Sequence, residues 1–188
     1  MSRDALLLLC LNFLFIGALP RIFFRRGGFP LLWWMTALPL FIAPAAAILM
    51  YFGHLHAIVV GTRTTSWLAA AAVVLDACSI ALIAFTVGTN RVPLALWHQS
   101  DDAPKNIVTF GAYRHVRHPF YVSFLIALTA ALLLAPHVAT LLTLVYGFTI
   151  LNFTAAGEEK RLSASTFGDE YRQYMGRTGR FFPRRSRR

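Results

Sequence analysis

Charge is scarce in this chain, and acidic charge most of all: Asp and Glu number 8 in 188 residues, and charged residues of both signs make up 14%. Soluble domains carry about 25% charged residues, so this composition excludes an ordinary water-soluble domain. Cysteine is nearly missing, with Cys10 and Cys78 alone. Both lie inside apolar runs and without metal-ligand spacing. The two read as small packing residues rather than a disulfide, and no metal site is expected. The chain has no internal repeat, and its one low-complexity stretch is the basic end Arg184-Arg185-Ser186-Arg187-Arg188.

What is abundant is apolar surface, 57% of residues, gathered in blocks of about membrane-spanning length. The fold class that follows is all-α, a polytopic membrane protein forming one membrane-embedded domain over 1–188, with five transmembrane helices. The first three are expected at about 5–24, 29–52 and 66–87. The first reads as a spanning helix rather than a cleaved signal peptide, because no small-x-small cleavage site follows it and its basic cluster comes after the run. Trp33, Trp34 and Tyr51 mark the edges of the second, while Pro39 and Pro44 inside it predict a kink. The apolar stretch from 120 to 153 is too long for one helix. Pro136-His137 divides it into a tight helical hairpin, 120–135 and 137–153.

Two polar parts remain, a connector over 88–119 and a tail over 155–183. In the tail Phe167, Tyr171 and Tyr174 fall at i, i+4 and i+7, which predicts a C-terminal amphipathic helix that lies on the bilayer or caps the bundle. Asp76 stands near the middle of the third run. A carboxylate at the bilayer centre is unfavourable by about 2.5 to 3.5 kcal/mol, so it is expected to face protein or a water-filled cavity, or to be protonated.

The basic residues are distributed unevenly. Five spans put the first connector, the third connector and the tail on one side, and 16 of the 18 Lys and Arg residues fall there. Only Arg3 and Arg63 fall on the other. The positive-inside rule makes the crowded side cytosolic and the N-terminus external. The net charge of +10 then points to anionic lipid headgroups as partners and not to nucleic acid.

Two clusters carry chemistry. Gly111-Ala112-Tyr113-Arg114-His115-Val116-Arg117-His118-Pro119-Phe120-Tyr121 reads as a helix entrance, since Pro is tolerated at a first helical turn. Arg117 and His118 would stand at the positive end of that helix dipole, where anions bind. Glu158-Glu159 follows the second arm of the hairpin, which brings it to the same face. A ligand bearing a carboxylate, an ammonium and hydroxyls matches this pairing, and S-adenosylmethionine is such a ligand. Tyr113 and Tyr121 offer ring faces to its sulfonium, a contact of about 0.5 to 2 kcal/mol. Juxtamembrane Arg and His also bind lipid phosphates, and a Glu pair beside Lys160-Arg161 also makes a solvated helix face.

The order Gly111-x-Tyr113-Arg114-x-Val116-Arg117-His118-Pro119-x-Tyr121, then Glu158-Glu159-x-x-Leu162, Phe167-Gly168-x-Glu170-Tyr171-x-x-Tyr174 and Arg180-Phe181-x-Pro183 resembles the C-terminal signature of the isoprenylcysteine carboxyl methyltransferase and phospholipid methyltransferase superfamily. The resemblance covers about residues 106 to 183. It implies an S-adenosylmethionine-dependent methyltransferase acting on a lipophilic acceptor that enters from the bilayer, with cofactor binding carried over to Arg117, His118, Pro119, Tyr121, Glu158 and Glu159. The chain departs from that pattern at Ser123, in the spacing from Leu162 to Phe167, and in lacking an arginine within Asn152-Phe153-Thr154-Ala155-Ala156-Gly157. The last departure leaves phospholipid amine N-methylation beside isoprenylcysteine-type carboxyl methylation. A transport or lipid-binding protein with Asp76 as its pathway residue is the alternative of another class. A proton acceptor, where the nucleophile needs one, would be sought at Asp76 or His98.

Overall fold

Five apolar runs become helices in chain order, α1 (Arg3–Phe23), α2 (Leu31–Tyr51), α3 (Thr62–Thr89), α4 (Pro119–Leu134) and α5 (Val138–Ser163), and a polar sixth, α6 (Gly168–Arg177), follows; a 3₁₀ turn stands at Gly111–Arg114. The structure, a computed structural model, describes residues 1–23, 31–58, 61–89 and 107–184. His98, Arg91 and Lys105, the clusters around Arg25 and Arg187, and most of the 88–119 connector lie outside the described residues. No strand occurs among the described residues; the one β-type pairing is an isolated parallel bridge between Val116 and Gly179.

Helices α2, α3 and α5 are long and apolar enough to cross a membrane. At 16 residues, α4 is shorter, about 24 Å at 1.5 Å per residue. Pro39 and Pro44 lie inside α2, whose helix runs through both. The break at Pro136-His137 produces the expected hairpin. His137 caps α5: its Nδ1 accepts from the Ala139 N–H at 3.0 Å, while the Thr140 hydroxyl oxygen accepts from the His137 N–H at 3.3 Å. The extended backbone of His137 is what allows this reciprocal cap. The Ile58 N–H donates to the Pro136 carbonyl at 2.7 Å, joining the loop after α2 to the hairpin turn.

One boundary is corrected. Helix α5 does not end near 153 but continues to Ser163, so Glu158 and Glu159 belong to the hairpin helix and not to a tail. Composition turns polar at Gly157, yet every residue from Glu158 to Leu162 is a good helix former, and hydrogen bonding propagates through them.

Small residues set the helix spacing. Helix α2 buries Ala37, Pro39, Ala43, Ala46 and Ala47, and Gly147 of α5 faces the Pro39 ring and the Leu128 side chain. Close backbone approach of this kind gives apolar helices their mutual packing where water supplies no driving force. A second seam is polar. The Asn12 amide donates to Asp76 Oδ1 at 2.8 Å, and the Ser79 hydroxyl donates to the Ser123 carbonyl at 2.8 Å. These side chains are fully buried and link α1, α3 and α4. Asp76 thus faces protein, the first of the expected alternatives.

Candidate functional site

Pro119 organises the site locally. Its ring disfavours helical backbone at the preceding residue, and His118 accordingly adopts φ −125°, ψ 66° as the N-cap of α4 with Pro119 at the first helical position. Upstream, Gly111 has φ +58°, and a side chain there would meet Thr89 at the end of α3. Glycine is needed at that corner for both reasons.

The tail returns to this helix mouth. The Arg117 N–H donates to the Gly179 carbonyl at 2.9 Å and the His118 N–H to the Arg180 carbonyl at 3.3 Å. Two donors at the start of α4 are thereby satisfied by a segment some sixty residues downstream. Gly179 permits the turn that follows, since a Cβ there would collide with the Phe182 carbonyl. Helix α6 is anchored from the same place. Arg117 donates to the Met175 carbonyl at 3.4 Å and also to that of Thr178, and the Tyr174 hydroxyl donates to the Tyr113 carbonyl at 2.6 Å. A guanidinium at a helix C-terminus both caps its last carbonyls and opposes its dipole. With Tyr171 and Tyr174 buried, α6 caps the bundle by its aromatic face.

Glu159 is the hub of the ion pairs. Its Oε1 receives Arg117 through Nε at 2.9 Å and a terminal nitrogen at 2.8 Å, and lies 3.2 Å from His118 Nε2. Arg180 approaches from the tail, with Nε 3.0 Å from Oε1 and a terminal nitrogen 2.5 Å from Oε2. The other terminal nitrogen of Arg180 donates to Asn152 Oδ1 at 2.7 Å. Glu158 is held differently: Tyr121 donates its hydroxyl to Oε1 at 2.7 Å, and His118 Nδ1 lies 3.4 Å from Oε2. The imidazole therefore bridges the two glutamates. It stacks on the Tyr121 ring at 5.3 Å with 4° between planes, and Phe181 sets its edge against both rings at 6.2 and 6.4 Å.

Burial disfavours the charged form of His118, yet hydrogen bonds and charge from Glu158 and Glu159 outweigh it and raise its pKa above 6.5. Burial pushes the Tyr113, Tyr171 and Tyr174 hydroxyls above their ordinary range, so they remain protonated donors. Hydrogen bonding to Glu159 holds Arg180 more firmly protonated.

The residues singled out in the sequence converge unevenly. Arg117, His118, Tyr121, Glu158 and Glu159 meet directly; Pro119 is buried beneath them as the first residue of α4; Tyr113 is one layer away under α6, touching through its carbonyl. Asp76 belongs to the separate polar seam. Arg180, Asn152, Phe181 and Tyr174 were not assigned to the site from sequence. Arg180 and Phe181 carried a signal in the Arg180-Phe181-x-Pro183 pattern, whereas Asn152 carried none, being one polar residue at the end of an apolar run.

Residues 94–164 match the sequence model of the Isoprenylcysteine carboxyl methyltransferase (ICMT) family. The matched segment holds both the helix mouth of α4 and the glutamates of α5, and ends before α6 and Arg180. No curated protein matches the chain.

Proposed function

We propose that the protein is an S-adenosylmethionine-dependent membrane methyltransferase of the isoprenylcysteine carboxyl methyltransferase type acting on a lipophilic acceptor, a reading supported by the match of residues 94–164 to that family. Methyltransferases of that family are generally dependent on this cofactor. The observation that carries the reading is the convergence of Arg117 and His118 with Glu158 and Glu159, inside the matched segment, on one buried cluster of both charge signs.

The donor set fits a zwitterionic ligand. Glu159 is committed to two guanidinium groups, while Glu158 has one short bond and one contact at 3.4 Å, beyond good hydrogen-bond length. We therefore assign Glu158 to the ligand's ammonium or ribose hydroxyls, and the positive end of α4, at the His118-Pro119 mouth, to its carboxylate. Tyr121 supplies aromatic surface near the sulfonium. When bound, the cofactor supplies an electrophilic methyl group on a sulfur that leaves as a neutral thioether. The protein's part is to orient the two reactants and exclude water, which the buried His118, Tyr121 and Phe181 rings do. An acceptor carboxylate needs no proton removed, and we take isoprenylcysteine-type carboxyl methylation as the reaction.

In this reading α1 and α4 join α2, α3 and α5 as five spans of one membrane-embedded domain, the basic side is cytosolic, and anionic lipid headgroups surround it. The acceptor reaches the site from the bilayer and the cofactor from water. Calorimetric titration of the detergent-solubilised protein with S-adenosylmethionine tests the proposal: binding is expected, and its absence overturns the methyltransferase reading. His118→Ala and Glu159→Ala are each expected to weaken binding by about tenfold or more. Wild-type affinity in both would show that the ligand sits elsewhere. The acceptor is identified by incubating membranes with methyl-labelled cofactor and finding which lipid-soluble species gains the label.

A further inference from the structure

The ion-pair cluster is not balanced. Glu159 brings one negative charge to two guanidinium groups, Arg117 and Arg180, while His118 shares Glu158 as its second carboxylate partner. The two arginines differ in access: the Arg117 side chain is 11% exposed and that of Arg180 29%. The positive charge that Glu159 leaves over is therefore presented outward by Arg180.

The hydrogen bonds of Arg180 say what it is free to take. A guanidinium has five N–H donors. Nε, one N–H of one terminal nitrogen and one of the other are spent on Glu159 and Asn152. Among the described residues, one N–H on each terminal nitrogen has no protein acceptor. Paired terminal N–H groups form the fork that receives a carboxylate through two parallel bonds.

Phenylalanines flank in sequence both this cation and the residue that holds it. Asn152, which holds it, stands one helical turn after Phe148, and Phe148 packs on Phe181 with centroids 6.0 Å apart. Phe153 follows Asn152 and is exposed, and Phe182 is 74% exposed. A fixed guanidinium with exposed phenylalanines close by in the chain suits an anionic headgroup on a hydrophobic body.

We infer that Arg180 receives the carboxylate of the lipophilic acceptor, with Phe148, Phe182 and Phe153 against its hydrocarbon. This rests on the methyltransferase reading for the identity of the ligand as acceptor. It gives the tail a role in substrate recognition: Arg180 and Phe182 lie beyond the matched family segment, which ends at residue 164. Glu159 and Asn152 are positioning residues in this arrangement, holding the guanidinium plane so that its free edge faces out.

The test uses the full chain in detergent, titrated with a long-chain thioether acid, the primary amide of the same acid, and the matching alkyl phosphate. The acid is expected to bind about tenfold or more tightly than the amide, a difference of 1.4 kcal/mol or more. Arg180→Gln should reduce the acid to the amide's affinity, and Arg180→Lys should keep part of the preference, since it retains the charge but loses the fork. Phe182→Ala should weaken acid and amide alike. Equal binding of acid and amide by the wild type, or an undiminished acid preference in Arg180→Gln, overturns the inference. So does a preference for the phosphate over the acid, which would make this a lipid-headgroup site. A measurement independent of any variant is modification of the wild type by phenylglyoxal, read by mass spectrometry: the acid and not the amide should protect Arg180, and no protection overturns the inference. Cofactor calorimetry on the same preparation separates the two readings. A protein that binds cofactor yet does not discriminate acid from amide loses only the role of Arg180. One that discriminates but binds no cofactor loses the methyltransferase reading and keeps the carboxylate site.

Discussion

Arg117 and Glu159, 42 residues apart in sequence, meet through two nitrogens on one carboxylate oxygen, at 2.9 and 2.8 Å. This pair ties the start of α4 to the last turns of α5, and through the remaining donors of Arg117 it also holds the end of α6.

Removing Glu159 leaves two guanidinium groups and an imidazole facing one another in a largely buried place. Glu159→Ala should destabilise the solubilised protein by about 3 kcal/mol, the lower end for a broken buried pair because Arg180 still reaches solvent. Thermal unfolding in detergent measures this, and an unchanged midpoint would show that the knot does not hold the helices together.

Stability should depend on pH through His118. Its pKa is raised in the folded state above 6.5 by Glu158 and Glu159, so the folded protein binds its proton more tightly than the unfolded chain does. The stabilisation is full below about pH 6.5, the unfolded value, and is lost as pH rises through the folded pKa. Unfolding midpoints measured upward from pH 6.5 should fall in the wild type and fall less steeply in His118→Gln; parallel slopes would refute the assignment.

The polar seam should tolerate a neutral acceptor and not an apolar one. Asp76→Asn keeps an oxygen for the Asn12 amide and should change stability little, whereas Asp76→Leu leaves that amide unpaired, at about 1 to 3 kcal/mol. If cofactor affinity survives in Asp76→Asn, as expected, the carboxylate charge has no part in the binding site.

At Gly147 a Cβ would stand 2.5 Å from Leu128 Cδ1, so this buried side chain must shift to admit it. Gly147→Ala should destabilise by about 1 to 3 kcal/mol through overpacking. Combining it with Leu128→Ala should recover part of the loss in a double-mutant cycle, and strict additivity would show that the two do not touch.

Topology has its own check. A cysteine in place of Ser186 should react with a membrane-impermeant thiol reagent only from the cytosolic side, and labelling from outside would invert the proposed orientation.

Much of the helical framework was legible because it depends on composition along the chain. Apolar runs, the Pro136-His137 break and Pro119 at a first helical turn are local signals, and each lies where its element begins or ends. The end of α5 was misjudged for an equally local reason: polarity changes at Gly157, but helix propensity does not, and propagation follows propensity once a helix is under way.

The amino-acid sequence by itself determined which residue types and which helices are present, the crowding of basic charge into certain connectors, and the Arg117-His118 and Glu158-Glu159 clusters. Only the tertiary structure decided who pairs with whom. That α6 caps the bundle, that Glu159 holds two arginines while Glu158 keeps a looser shell, and that Arg180 closes the cluster from the tail all depend on contacts between residues far apart in the chain. The strength of a charge pair depends on distance and burial, and neither is encoded in sequence separation.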